Sequence, residues 1–225
     1  MPALPTSLWS SVARKALMAL TGLALIGFLI VHLLGNLILL SGNADAFNLY
    51  SNIYASMGSF LYVIEAGLVA FFLIHIVSGI TVALGKMKAR PVSYKKVANA
   101  GGPSRKTVSS VTMIYTGVLL LVFLVFHVVS LKYGAHYDTT IGGEKMRDLY
   151  KLVVENFQQP YIVAGYVIIM TLLGFHLRHG FWSAFQSLGA LQPRFSNMIY
   201  IIGVFIAIIL AIGFLFVPIW IFLNS

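Results

Sequence analysis

The 225-residue chain contains no cysteine and only six acidic residues. Without cysteine there are no disulfides, no thiolate-ligated iron–sulfur clusters and no C-x-x-C-H attachment of covalent haem. Charged residues are 9% of the total, against roughly a quarter in an ordinary soluble domain. No glycine-rich dinucleotide fingerprint follows a strand-like segment, which leaves no nucleotide-cofactor site of that type. Apolar residues make up 59% of the chain instead, and the mean hydropathy is +0.91.

This composition implies an integral membrane protein. Five apolar runs, residues 17–40, 58–85, 108–131, 160–188 and 198–223, each meet the about 20 residues needed to cross a bilayer as a helix. The expected fold is all-α, a five-transmembrane-helix bundle forming one membrane domain over residues 1–225. The first run follows Arg14 and Lys15 and precedes Ala44-Asp45-Ala46, a signal-peptide-like arrangement. Its apolar core exceeds the about 7 to 15 residues of a secretory h-region, so it is read as a retained helix.

The net charge of +9 is unevenly distributed. Lys86, Lys88, Arg90, Lys95, Lys96, Arg105 and Lys106 fall between the second and third runs with no acid among them. Arg14 and Lys15 precede the first run, and Arg194 separates the fourth from the fifth. Asp45, Asp138, Glu144, Asp148 and Glu155 occupy the other two connections. The positive-inside rule then puts the N-terminus in the cytoplasm and the C-terminus outside. That bias accounts for the basic balance without a nucleic-acid partner. Met146, Leu149, Tyr150, Val153 and Phe157 recur at helical spacing, which predicts a short amphipathic helix over 144–157 capping the outer surface. Residues 92–104 carry turn residues and lysines without apolar period, as expected of a cytoplasmic loop open to a partner.

Histidines punctuate the apolar runs: His32, His75, His127 and His176 lie in the first four, one each, and His179 one turn beyond the last. An ionisable ring in hydrocarbon is costly unless its nitrogens are engaged. The topology puts His32 and His127 in the outer leaflet and His75 and His176 in the inner. A lone histidine of this kind most simply hydrogen-bonds a neighbouring helix. Four in two depth-matched pairs, without matching carboxylates, favour two irons, each clamped by two histidines in a non-covalent haem. Zinc or copper would need ligands converging on one point.

The segments Ser11-Val12-Ala13-Arg14-Lys15-Ala16-Leu17-Met18-Ala19-Leu20-Thr21-Gly22, His32-Leu33-Leu34-Gly35-Asn36-Leu37, Phe126-His127-Val128-Val129 and Phe175-His176-Leu177-Arg178-His179-Gly180-Phe181-Trp182-Ser183 resemble the five-helix, two-haem cytochrome b subunit of succinate dehydrogenases and fumarate reductases. The resemblance spans nearly the whole chain and implies a multi-pass protein of the bacterial cell (inner) membrane. It implies two haem b groups, His75 with His176 holding the proximal one and His32 with His127 the distal one. It also implies a flavoprotein and an iron–sulfur protein docked on the cytoplasmic face, with electrons exchanged with a quinone, menaquinone for the two-haem members. Either direction, succinate oxidation or fumarate reduction, uses the same path, and the whole complex has room to form a higher oligomer.

Other residues receive roles by depth and neighbourhood. Glu65, the one carboxylate inside a run, lies near the outer surface, where a poorly solvated charge suits proton exchange at a quinone site beside the distal haem. A carboxylate merely favoured at a helix start is the plainer alternative. Arg178 and His179 sit at propionate depth, and Gly35, three residues after His32, admits a porphyrin edge. Ser78 with Arg178 and His179 forms an alternative, cytoplasm-side quinone site. Three other readings stand beside these: the haem-bearing anchor of a hydrogenase, formate dehydrogenase or nitrate reductase; a proton-coupled transporter, which predicts broken helices in two corresponding halves; and a haem-free structural anchor.

Overall fold

A computed structural model describes residues 10–88 and 108–225. The elements in order are α1 (Ser11–Asn36, extended by a 3-10 turn over Leu37–Ser41), α2 (Ala44–Ala55), α3 (Ser59–Lys88), α4 (Val108–His127, followed by a π turn over Val128–Lys132), β1 (Asp138–Ile141), β2 (Glu144–Arg147), α5 (Leu149–Phe157), α6 (Pro160–Ser187) and α7 (Pro193–Asn224). Five of these, α1, α3, α4, α6 and α7, are long and apolar enough to cross a membrane. Helices are the natural solution for such runs, because hydrocarbon offers no water to satisfy backbone N–H and C=O groups. Residues 92–104, expected to form a partner-facing loop, lie outside the described residues.

Local chemistry sets the helix ends. Ser10 caps α1 by accepting from the Ala13 N–H at 3.1 Å, and α6 and α7 begin on Pro160 and Pro193, whose missing N–H costs nothing in a first turn. The α1 helix thus starts six residues before the apolar run does. α6 is the centre of the bundle, packed against α1, α4 and α7, and α7, which has no histidine, lies chiefly along α6. Phe181 of α6 packs directly onto Gly203 of α7, and Leu33 of α1 onto Gly213, close approaches that a side chain at either glycine would block. α3 packs mainly on α1 and α4 mainly on α6, while α3 and α4 touch little.

One end of the bundle is capped, and every carboxylate side chain of the protein lies towards it. The cap replaces part of the expected 144–157 helix. Gly142 and Gly143, at φ of 60° and 84°, make a two-residue turn that pairs β1 with β2 in antiparallel register, Ile141 opposite Glu144. Met146 is therefore a strand residue, and the helix begins only after Asp148, whose carboxylate caps it by accepting from the Lys151 N–H at 3.0 Å. α5 buries Leu152, Val153 and Phe157. Asn48 of α2, fully buried, donates to Asp148 at 2.8 Å and accepts from the Tyr150 N–H at 2.9 Å, which locks α2 to α5. Arg147 donates to the carbonyls of Leu131 and Lys132 at 3.0 Å and of Ala135 at 3.3 Å, satisfying acceptors freed where the α4 segment ends. On the cap surface, hydrogen bonding to Lys145 and to His136 draws Asp138 below the usual carboxylate range. Burial and the neighbouring Tyr54 push the Tyr50 phenol of α2 up to about 12.

Candidate functional site

The structure brings the intramembrane histidines together in two pairs at two levels. His32 of α1 and His127 of α4 have ring centroids 5.8 Å apart at an interplanar angle of 88°. His75 of α3 and His176 of α6 are 6.4 Å apart at 71°. The first pair lies toward the capped end and the second toward the opposite end, which carries no cap among the described residues and is termed the open end. Each pair joins helices that are not consecutive in the chain, so their meeting is a product of the bundle rather than of local sequence.

The neighbours of the rings decide which nitrogen faces the partner. His75 Nδ1 is 3.1 Å from the Met18 carbonyl oxygen. A carbonyl only accepts, so Nδ1 carries the proton and Nε2 keeps its lone pair. His176 Nδ1 is 3.2 Å from the Thr116 hydroxyl. That hydroxyl has one proton, directed at the carbonyls of Thr112 at 3.2 Å and Met113 at 3.0 Å. It therefore accepts from His176 Nδ1–H, and His176 also presents a bare Nε2. His127 Nδ1 lies 3.0 Å from the Tyr166 hydroxyl, which is able to accept in the same way. His32 is oriented differently. Its ring stacks on Phe28 at 5.4 Å and 15°, Phe214 of α7 lies 5.9 Å away, and the Asn36 amide that donates to the His32 carbonyl at 2.7 Å makes only a long 3.5 Å contact with Nε2.

A second partner that fixes the tautomer is the usual setting of a metal-ligating histidine. With metal–nitrogen bonds of about 2.0 Å, two imidazoles on opposite sides of one metal have centroids about 6 Å apart. Both observed separations fall close to this. Two neutral imidazoles without a carboxylate form a donor set suited to haem iron rather than to a hard cation. The residues present fit the group on spacing and on donor chemistry.

Several of the contributing residues are not marked out by the sequence. Gly22 of α1 is one: an added Cβ there would sit 3.0 Å from His75 Cε1 and 3.3 Å from Nδ1, a tight fit that would make the ring beside the Met18 carbonyl give by a few tenths of an ångström. Thr116 and Tyr166 are the others, and their legible sign is a hydroxyl at histidine depth on an adjoining helix. Tyr166 is held edge-on by Phe123 at 4.9 Å and Phe157 at 4.8 Å, which ties the His127 contact to the cap through α5.

The remaining sequence-derived candidates are dispersed. Glu65, near the start of α3, forms an ion pair with Lys132 at the end of the π turn that follows His127. Both side chains are partly exposed, and the pair bridges two helices that otherwise touch little. The carboxylate that the sequence singles out thus has a cationic partner, Lys132. Arg178 donates to the Tyr200 hydroxyl of α7 at 2.8 Å. Ser78 is buried between α1 and α3, beside Arg14 and Thr81. Gly35 seats the phenol of Tyr50 from α2, so its open side is filled by the cap. His179 follows one turn after His176, toward the open end of α6. No protein-family model, curated protein or solved structure matches the chain.

Proposed function

We propose that this chain is the cytochrome b membrane-anchor subunit of a succinate:quinone oxidoreductase, a succinate dehydrogenase or fumarate reductase, with two bis-histidine haems b. The observation that carries the reading is the two-level pairing of His75 with His176 and of His32 with His127, with Nδ1 of three rings engaged so that Nε2 is left to ligate. The motifs around these residues, similar to the two-haem family, supply the identity of the partners. Haem in these positions supplies one-electron transfer between an iron–sulfur partner and a membrane quinone, menaquinone in this reading.

The protein's own residues supply the rest. Met18, Thr116 and Tyr166 hold the imidazoles in the ligating tautomer, and Gly22 makes room for His75. In this reading Arg178 and His179, at the open end, receive propionates, Arg178 sharing its guanidinium with the Tyr200 hydroxyl. Glu65 exchanges a proton with quinone at the capped end, its charge balanced by Lys132 between transfers. The flavoprotein and iron–sulfur subunits dock at the open end, the cytoplasmic one by the positive-inside rule. Dicarboxylate chemistry belongs to those subunits, because this chain has neither nucleotide fingerprint nor cysteine.

The decisive experiment is a pyridine haemochrome assay on the purified full chain. Two non-covalent haems per chain are expected, and one or none would overturn the proposal. Replacing His75 or His176 should remove chiefly the haem nearer the open end, and replacing His32 or His127 the other.

A further inference from the structure

A groove of about 400 Å³ runs between α1 and α3 at the open end of the bundle, lined by Arg14, Leu17, Ile74, Val77, Ser78 and Thr81 among others. Leu17, Ile74 and Val77 are exposed on the outside of the bundle. At about 100° per residue, Ile74, Val77 and Thr81 turn well away from His75 on the same helix. The groove therefore opens toward lipid and away from the histidine pair.

Its polar end is incomplete. Arg14 Nε is buried with no hydrogen-bond partner. Its counter-charge does not come from this chain, because Asp45, Glu65, Asp138, Glu144, Asp148 and Glu155 all lie in or near the cap at the opposite end. No acidic residue occurs in residues 1–9 or 89–107 either. Beside Arg14, Ser78 is buried, and the Thr81 hydroxyl donates to the carbonyls of Val77 and Ser78 at 2.9 Å. Polar groups thus gather at one end of a channel whose remaining walls are aliphatic. Basic pockets between membrane helices are sites for anionic headgroups.

We propose that this groove binds one anionic glycerophospholipid. Its phosphate meets Arg14 next to Ser78, and an acyl chain lies along Leu17, Ile74 and Val77. The absence of any carboxylate at this end argues against a zwitterionic headgroup, whose ammonium would find no partner. Bound there, the lipid fastens the start of α1 to α3, the two helices that meet at His75 and Gly22. The inference does not depend on haem binding.

Native mass spectrometry of the full chain, released from detergent after incubation with equal amounts of phosphatidylglycerol and phosphatidylcholine, tests it. One phosphatidylglycerol retained in preference to phosphatidylcholine is expected. Arg14→Gln should lower that retention about fivefold, whereas Lys15→Gln, the same charge change at an exposed neighbour, should leave it unchanged. Val77→Phe keeps the arginine but fills the groove, and should lower retention even if Arg14→Gln does not fold. Equal retention of the two lipids, equal loss in Arg14→Gln and Lys15→Gln, full retention in Val77→Phe, or a quinone retained in place of the lipid would each overturn the proposal. Haem absorbance of the same samples is a separate readout, so loss of lipid with haem intact separates this site from the histidine pairs.

Discussion

The Tyr166 hydroxyl lies 3.0 Å from Nδ1 of His127, in a part of α6 wedged between Phe123 of α4 and Phe157 of α5. It is the one ring contact of this kind whose hydroxyl has no competing carbonyl to fix its direction. At His176 the Thr116 proton is already committed, and at His75 the partner is a carbonyl. Tyr166 is thus the adjustable member of the set.

Replacing it by Phe keeps the packing and removes the bond. Tyr166→Phe should retain two haems and shift the potential of the one held by His127 by about 40 mV, the equivalent of one hydrogen bond of about 1 kcal/mol in a one-electron couple. The other potential should stay in place. A redox titration followed by absorbance measures both, and two unchanged potentials would reduce Tyr166 to a packing residue.

The cap supplies a stability test. Asn48 is only 1% exposed and satisfies both Asp148 and the Tyr150 N–H. Asn48→Ala leaves a gap at a buried side chain, removes the Tyr150 N–H acceptor and leaves Asp148 only the Lys151 N–H, and should cost about 1–3 kcal/mol. The loss should appear as a lower unfolding midpoint in detergent and as faster hydrogen exchange in α5. Exchange in α7 near Gly203, far from the cap, should change little. Uniform acceleration throughout the chain would mean that the cap and bundle unfold as one unit.

The elements that were legible in the sequence are those governed by long-range apolar pattern. The spans follow from uninterrupted hydrophobic runs, and the matching levels of the histidines follow from counting along antiparallel helices. What the pattern does not carry is the identity of the neighbours of each ring. Thr116 and Tyr166 look like ordinary membrane hydroxyls until α4 and α6 are packed, and the acceptor for His75 is a backbone carbonyl with no sequence signature at all. The hairpin is a different case. Met146 satisfies a helical period, but Gly142-Gly143 between Asp138-Thr139-Thr140-Ile141 and Glu144-Lys145-Met146-Arg147 is a two-residue turn signal, and backbone geometry at the glycines overrides the period. Lys132 as the partner of Glu65 was equally hidden, since α3 and α4 are brought together by other helices.

That ion pair leads to the last prediction. Glu65 joins α3 to the end of the α4 segment through Lys132, five residues beyond His127, so its carboxylate lies on the capped side of that histidine pair. A carboxylate that passes a proton to quinone must release and regain it, and Lys132 supports the released form. Glu65→Gln keeps the shape and a hydrogen-bonding group but cannot exchange the proton. Quinone-linked turnover of the assembled complex should fall about a hundredfold, while both haems stay bound and succinate oxidation with a soluble acceptor continues. Lys132→Met separates proton exchange from simple bridging. It removes the same ion pair but leaves the carboxyl, so it should retain more quinone activity than Glu65→Gln. Equal losses in the two variants would assign the pair to holding α3 against α4, and unchanged turnover in Glu65→Gln would move the search for the quinone site to the open end near Ser78, Arg178 and His179.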